Sequence, residues 1–150
     1  PLRLGVRARP HLVTPNLREA EDLVGHEFND EQDVVDATAA ISDLGARNVV
    51  IKTSLGCVAR FTRGRRSHVY RARITELETI VSTVGSGDAF LAGFLDARVS
   101  RRDLPDCLRA ALAAGAANTQ FSGAGLLDAE QARRLFETTE VVELERAARH

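Results

Sequence analysis

The sequence predicts an α/β layered fold with a largely parallel sheet. β-prone segments alternate with helical stripes along the chain, which is the pattern of strands and helices packed in layers. Val49-Val50-Ile51 is a continuous apolar run of the kind seen in a strand covered on both faces. The chain has 150 residues, 44% hydrophobic and 27% charged, the size and balance of one ordinary soluble domain with a single core.

Residues 11–14, His-Leu-Val-Thr, are short and β-prone, and Pro15-Asn16 leads from them into the stripe Leu17, Ala20, Leu23, Val24. That is a strand feeding a helix closed by Gly25. Residues 30–44 give a second helix, with Val34, Val35, Thr38 and Ile41 on one face and Gly45 at its end. Residues 48–52 form a strand. Two more, 57–62 and 67–71, join across Arg63-Gly64-Arg65-Arg66 as a hairpin. Thr83-Val84-Gly85-Ser86-Gly87-Asp88 then opens a helix bearing Phe90, Leu91, Phe94 and Leu95. Residues 104–121 form another, whose run from Ala110 to Ala117 carries little side-chain bulk, so that a backbone or a flat ligand can come close. Asp128 with Gln131 reads as a capping pair before a helix through Phe136, and residues 141–144 form a final strand. No repeat or linker divides the chain, so residues 1–150 are expected to be one part of one domain.

Charge and cysteine usage remove several function classes. A net charge of -1, from 20 basic and 21 acidic residues, argues against a nucleic-acid partner. Cys57 and Cys107 lack metal or disulfide spacing, which fits a reducing cytoplasm. No apolar run approaches the roughly 20 residues of a membrane span, so no membrane partner is expected. His11, His26, His68 and His150 are scattered and receive no role. The chain starts at Pro1 and has no methionine, from which we expect residues upstream. Six arginines fall between Arg60 and Arg73; a solvated, protected sheet edge is the expected reading of that hairpin.

The chemistry concentrates at Ser82-Thr83-Val84-Gly85-Ser86-Gly87-Asp88-Ala89-Phe90-Leu91-Ala92-Gly93-Phe94. Two glycines free the backbone so that successive N–H groups can face one concavity, and the following helix adds its positive end. Asp88 stands in the first turn, where that field favours a carboxylate. An anion hole beside a base suits phosphoryl transfer. A glycine turn before a helix with a first-turn Asp is the bland alternative. No GK[ST] follows, and Phe90 stands where a dinucleotide fingerprint needs its third glycine, so two other phosphate-binding classes lose support.

This segment resembles the second signature of the ribokinase/phosphofructokinase-B (PfkB) carbohydrate kinases, and the chain as a whole resembles the C-terminal, nucleotide-binding portion of that ribokinase-like fold. The resemblance implies Asp88 as general base, with Gly85, Ser86 and Gly87 supplying amides to the transferring phosphoryl group. Thr14-Pro15-Asn16-Leu17-Arg18-Glu19 is similar to the family's TPNxxE segment, which implies that Asn16 and Glu19 help order Mg2+ through water; the same residues also fit a capping box that needs no metal. Ser54-Leu55-Gly56 resembles the turn that lies against ATP, although Ala59 stands where the family usually has glycine. Ala114-Gly115-Ala116-Ala117-Asn118 resembles the helix beside the adenine, implying contacts from Gly115 and Asn118, while ordinary close helix packing explains the small residues equally.

Leu2-Arg3-Leu4-Gly5-Val6 resembles the helix just before the TPN strand, and the 1-phosphofructokinase and tagatose-6-phosphate kinase group is the nearest branch. The implied function is transfer of the γ-phosphoryl group of ATP to a hydroxyl of a sugar or sugar phosphate, with a homodimer allowed for the full-length enzyme. The alternatives are a non-catalytic nucleotide-binding fragment, or a relative acting on a nucleoside or vitamin alcohol.

Overall fold

The structure, a computed structural model, describes residues 1–75 and 83–145. Ser82, which opens the glycine segment, lies outside the described residues. The fold is α/β, in the order α1 (Leu2–Arg7), α2 (Leu17–Val24), α3 (Glu31–Leu44), β1 (Asn48–Lys52), β2 (Gly56–Arg63), β3 (Arg66–Ile74), α4 (Ser86–Val99), α5 (Leu104–Asn118), α6 (Ala129–Thr138) and β4 (Thr139–Glu145). The chain packs as two compact units, Pro1–Arg71 with Val142–His150, and Ala72–Val141.

Local sequence sets the helix starts of the first unit. Asn16 caps α2 in a reciprocal capping box with Glu19, and Gly25 closes it in the left-handed conformation. Asp30 caps α3 by accepting from Asp33 N at 2.9 Å. The inward residues Val6, Ala20, Leu23, Val34, Ala37 and Ile41 pack with Val49, Ile51, Val58 and Val69 as the core. Burying each large aliphatic side chain of this kind contributes roughly 1.5–3 kcal/mol.

The largely parallel sheet expected from the sequence is corrected here. The four strands lie in the order β1-β2-β3-β4 and run antiparallel, β1 pairing β2 from Asn48↔Phe61 to Lys52↔Cys57. Short connections decide this for β1, β2 and β3, because a parallel pair needs a crossover of a dozen or more residues. Thr53 N donates to Gly56 O at 2.9 Å to close the first turn, and only Gly64 and Arg65 separate β2 from β3. Parallel pairing survives at the bridges Val13↔Val49 and Asn16↔Lys52, where α2 and α3 provide the crossover. The segment around Val13 is therefore not a full strand: Val50 N donates to Val13 O and Lys52 N to Pro15 O, both at 2.9 Å.

The arginine hairpin is likewise no sheet edge. β1 and β4 flank it, so its main chain is paired on both sides. Arg60 is buried and donates from Nε to Thr38 Oγ1 at 3.1 Å, and Arg71 pairs with Glu31 at 3.0 Å. Arg63, Arg65 and Arg66 at the tip are exposed.

The second unit is built on α4 and α5. A Cβ on Gly93 would stand 2.6 Å from Ala110 O and 2.9 Å from Ala114 Cβ, so the small residues of α5 admit the backbone of α4. Phe90, Phe94, Ala97, Cys107, Leu108, Ala111 and Leu135 are buried in this unit. The helix expected over 104–121 ends at Asn118. Its tail tightens instead, with Thr119 N donating to Ala116 O, Gln120 N to Ala117 O and Phe121 N to Asn118 O.

Candidate functional site

The expected site residues divide between the units, and each group is described within its own. In the first, Asn16 Oδ1 accepts from Glu19 N at 2.8 Å, and Glu19 Oε2 accepts from Asn16 N at 2.9 Å. Both residues are exposed, and Glu19 Oε1 is left without a hydrogen bond among the described residues. Ser54 and Leu55 form the exposed turn between β1 and β2, and Gly56 is buried as β2 begins. Ala59 lies in the middle of β2 opposite Val50, fully buried, so the departure from the family pattern falls in a strand rather than in the turn.

In the second unit, Gly85 is the N-cap of α4 with φ 78°, a left-handed conformation that favours glycine. Ser86 is locked to the preceding residues: its N–H and its Oγ both donate to Thr83 O, at 3.2 and 2.9 Å. Ala89 N takes the carbonyl of Gly85 at 2.9 Å. The first-turn amides left open are therefore those of Gly87 and Asp88. Of the three amides expected to form the anion hole, that of Ser86 donates to Thr83 O, while those of Gly85 and Gly87 have no hydrogen bond among the described residues. The Asp88 carboxylate is exposed and accepts no hydrogen bond from the described residues.

Gly115 and Asn118 lie beneath this loop. A Cβ on Gly115 would be 3.2 Å from Ser86 O and 3.4 Å from Phe90 Cβ, so its small size is used in seating α4. Asn118 has no exposed surface; its Nδ2 donates to Leu126 O at 2.8 Å and Gly123 O at 3.3 Å. A Cβ on Gly85 would stand 2.7 Å from Ala124 Cβ and 3.5 Å from Asn118 Oδ1. Ala124 escaped the sequence reading, although its flanking glycines, Gly123 and Gly125, were a legible sign of close approach.

The thiols take no part. Burial pushes Cys57 up to about 12 and also raises Cys107, against which Arg98 acts, so neither is a nucleophile near neutrality. Among the described residues no three His, Cys, Asp or Glu cluster as a metal site. No helix among the described residues is long and apolar enough to cross a membrane.

Residues 4–131 match the model of the pfkB family carbohydrate kinases. A 1-phosphofructokinase of Haemophilus influenzae is 30% identical over 144 residues, covering 96% of this chain and 45% of that protein. The phosphofructokinase-2 of Escherichia coli, in a crystal structure with substrates and products, superposes with a TM-score of 0.78 at 24% identity over 91% of this chain and 43% of that one. Ribokinase of Arabidopsis thaliana, complexed with ribose and ATP, gives a TM-score of 0.71 at 29% identity over 84% and 40%. The chain spans less than half the length of the curated relatives it matches.

Proposed function

The chain belongs to the pfkB family of carbohydrate kinases, and on that premise we propose that it serves transfer of the γ-phosphoryl group of ATP to a hydroxyl of a sugar or sugar phosphate, with Asp88 as general base. One observation carries this reading: the open amides of Gly87 and Asp88 and an unpaired, exposed carboxylate share the first turn of α4. In the reaction, a carboxylate oxygen of Asp88 accepts the proton of the acceptor hydroxyl as the hydroxyl oxygen bonds to the γ-phosphorus and the bond from that phosphorus to the bridging oxygen breaks, releasing ADP. The amides of Gly87 and Asp88 hold phosphoryl oxygens, helped by the positive end of α4. Ser54 and Gly56 line the nucleotide, and the effects of Gly115 and Asn118 on it are indirect.

Mg2+ would neutralise phosphate charge when bound, and Asn16 and Glu19 would help hold it through water, the Glu19 oxygen left over by the capping box being available for this. The same proposal places the protein in the cytoplasm, where two unpaired thiols are stable.

A purely nucleotide-holding role is the second reading. Calorimetry with ATP and a coupled ADP-release assay over ribose, fructose-6-phosphate, other sugars and nucleosides separate the two. Acceptor-dependent ADP release that Asp88→Asn abolishes supports the kinase. ATP binding without release under any acceptor supports the second reading, and the absence of both overturns the proposal.

A further inference from the structure

We propose that Asn118 is a positioning residue of the anion loop, a latch that holds the 119–126 segment against Gly85 and thereby sets the direction of the Gly87 and Asp88 amides. The inference rests on the reading of Gly85–Asp88 as the phosphoryl-binding loop, and assigns Asn118 no contact with the nucleotide.

Three facts lead to it. The side chain is wholly buried at the last residue of α5, and Nδ2 reaches two carbonyls of the same loop, Leu126 O at 2.8 Å and Gly123 O at 3.3 Å. Those bonds fix the amide's orientation, since the flipped form would set an oxygen against two oxygens. Oδ1 then has no partner, alone in this among the buried side-chain oxygens and nitrogens of the described residues, and lies 3.5 Å from where a Cβ on Gly85 would stand. An unpaired buried oxygen destabilises a fold, so tolerance of it implies that the two loop bonds matter more. Between the bonded carbonyls sits Ala124, whose Cα and Cβ would be 2.8 and 2.7 Å from that same Cβ. The latched loop thus presses on the one residue whose left-handed backbone turns the chain into α4.

Gly115 acts on the same loop from the next turn of α5, under Ser86 O. The anion loop therefore has a floor made by α5 and the loop after it. A latch of this kind alters how well the amides meet the transferring group more than how tightly ATP is held, so its loss lowers kcat rather than raising KM.

The test uses Asn118→Ala together with Ala124→Gly, which removes one methyl from an exposed residue and keeps the fold if Asn118→Ala does not. Amide hydrogen exchange over residues 83–88 is measured beside kcat and the KM for ATP. We expect exchange there to speed up by about tenfold in Asn118→Ala, the effect of losing one or two hydrogen bonds, and by less in Ala124→Gly. In each, kcat falls while the KM for ATP stays within about twofold. Unchanged exchange over 83–88 in both variants overturns the latch, and so does a raised KM with kcat preserved, which would make Asn118 a nucleotide contact. If the wild-type protein transfers no phosphoryl group, the kinase reading fails and the exchange measurement alone decides the latch.

Discussion

The capping box at Asn16 and Glu19 and the glycine loop at Gly85–Asp88 both begin a helix, yet they leave different things undone. In the box, two backbone donors and two side-chain acceptors answer one another at 2.8 and 2.9 Å, and a structural role accounts for all but the Asn16 side-chain NH2 and one carboxylate oxygen. At α4 there is no side-chain cap at all: two first-turn amides stay open and the Asp88 carboxylate stands unpaired. With glycine as its N-cap, α4 forgoes only a few tenths of a kcal/mol, roughly, relative to Ser, Asp or Asn at that place. Polar groups that the fold leaves without partners are the better guide to chemistry than the residue types themselves.

Asp88→Asn tests that contrast most severely. Turnover should fall by about 100- to 10,000-fold, the usual loss on removing a general base, with ATP affinity by calorimetry nearly unchanged. Near-normal turnover would return Asp88 to the status of an ordinary first-turn residue.

Gly85→Ala asks whether the uncapped helix depends on its unusual entry. The left-handed backbone and the contact with Ala124 together should cost about 1–3 kcal/mol in thermal melts, and phosphate-analogue binding should weaken in parallel. A melt identical to wild type would show that the loop relaxes freely, and the contrast with the capping box would blur.

Glu19→Gln probes the other side. Stability should drop by about 1 kcal/mol or less, while the Mg2+ needed for half-maximal rate rises because the leftover oxygen has lost its charge. An unchanged Mg2+ requirement would reduce the box to a cap and sharpen the difference between the two helix starts.

The smallest effect concerns Asp33 on α3. The backbone N–H of Asn29, at 2.8 Å, is the main cause holding its carboxyl below the ordinary value of 3.8. A group depressed in the folded state stabilises above its unfolded pKa, and that contribution disappears as pH falls through the folded value. The difference in melting temperature between wild type and Asp33→Asn should therefore be present near neutrality and vanish on the acid side below 3.8. A difference that persists in acid would assign the effect to packing.

By itself the sequence determined where several helices begin and that a glycine turn precedes Asp88. Asn16, Asp30 and Asp128 bond to amides two or three residues ahead, and such bonds are fixed by chain connectivity before any packing occurs. The glycines before Asp88 were legible for the same reason. Sheet direction was not, because it depends on which segments meet: short turns made β1, β2 and β3 antiparallel, while the long helical path left only bridges to pair in parallel. Gly115, Asn118 and Ala124 belong to this second class. Their small size or polarity fits several roles in one dimension, and only the close approach of α4 and the 119–126 loop to α5 decided that they form the floor beneath Gly85 and Ser86.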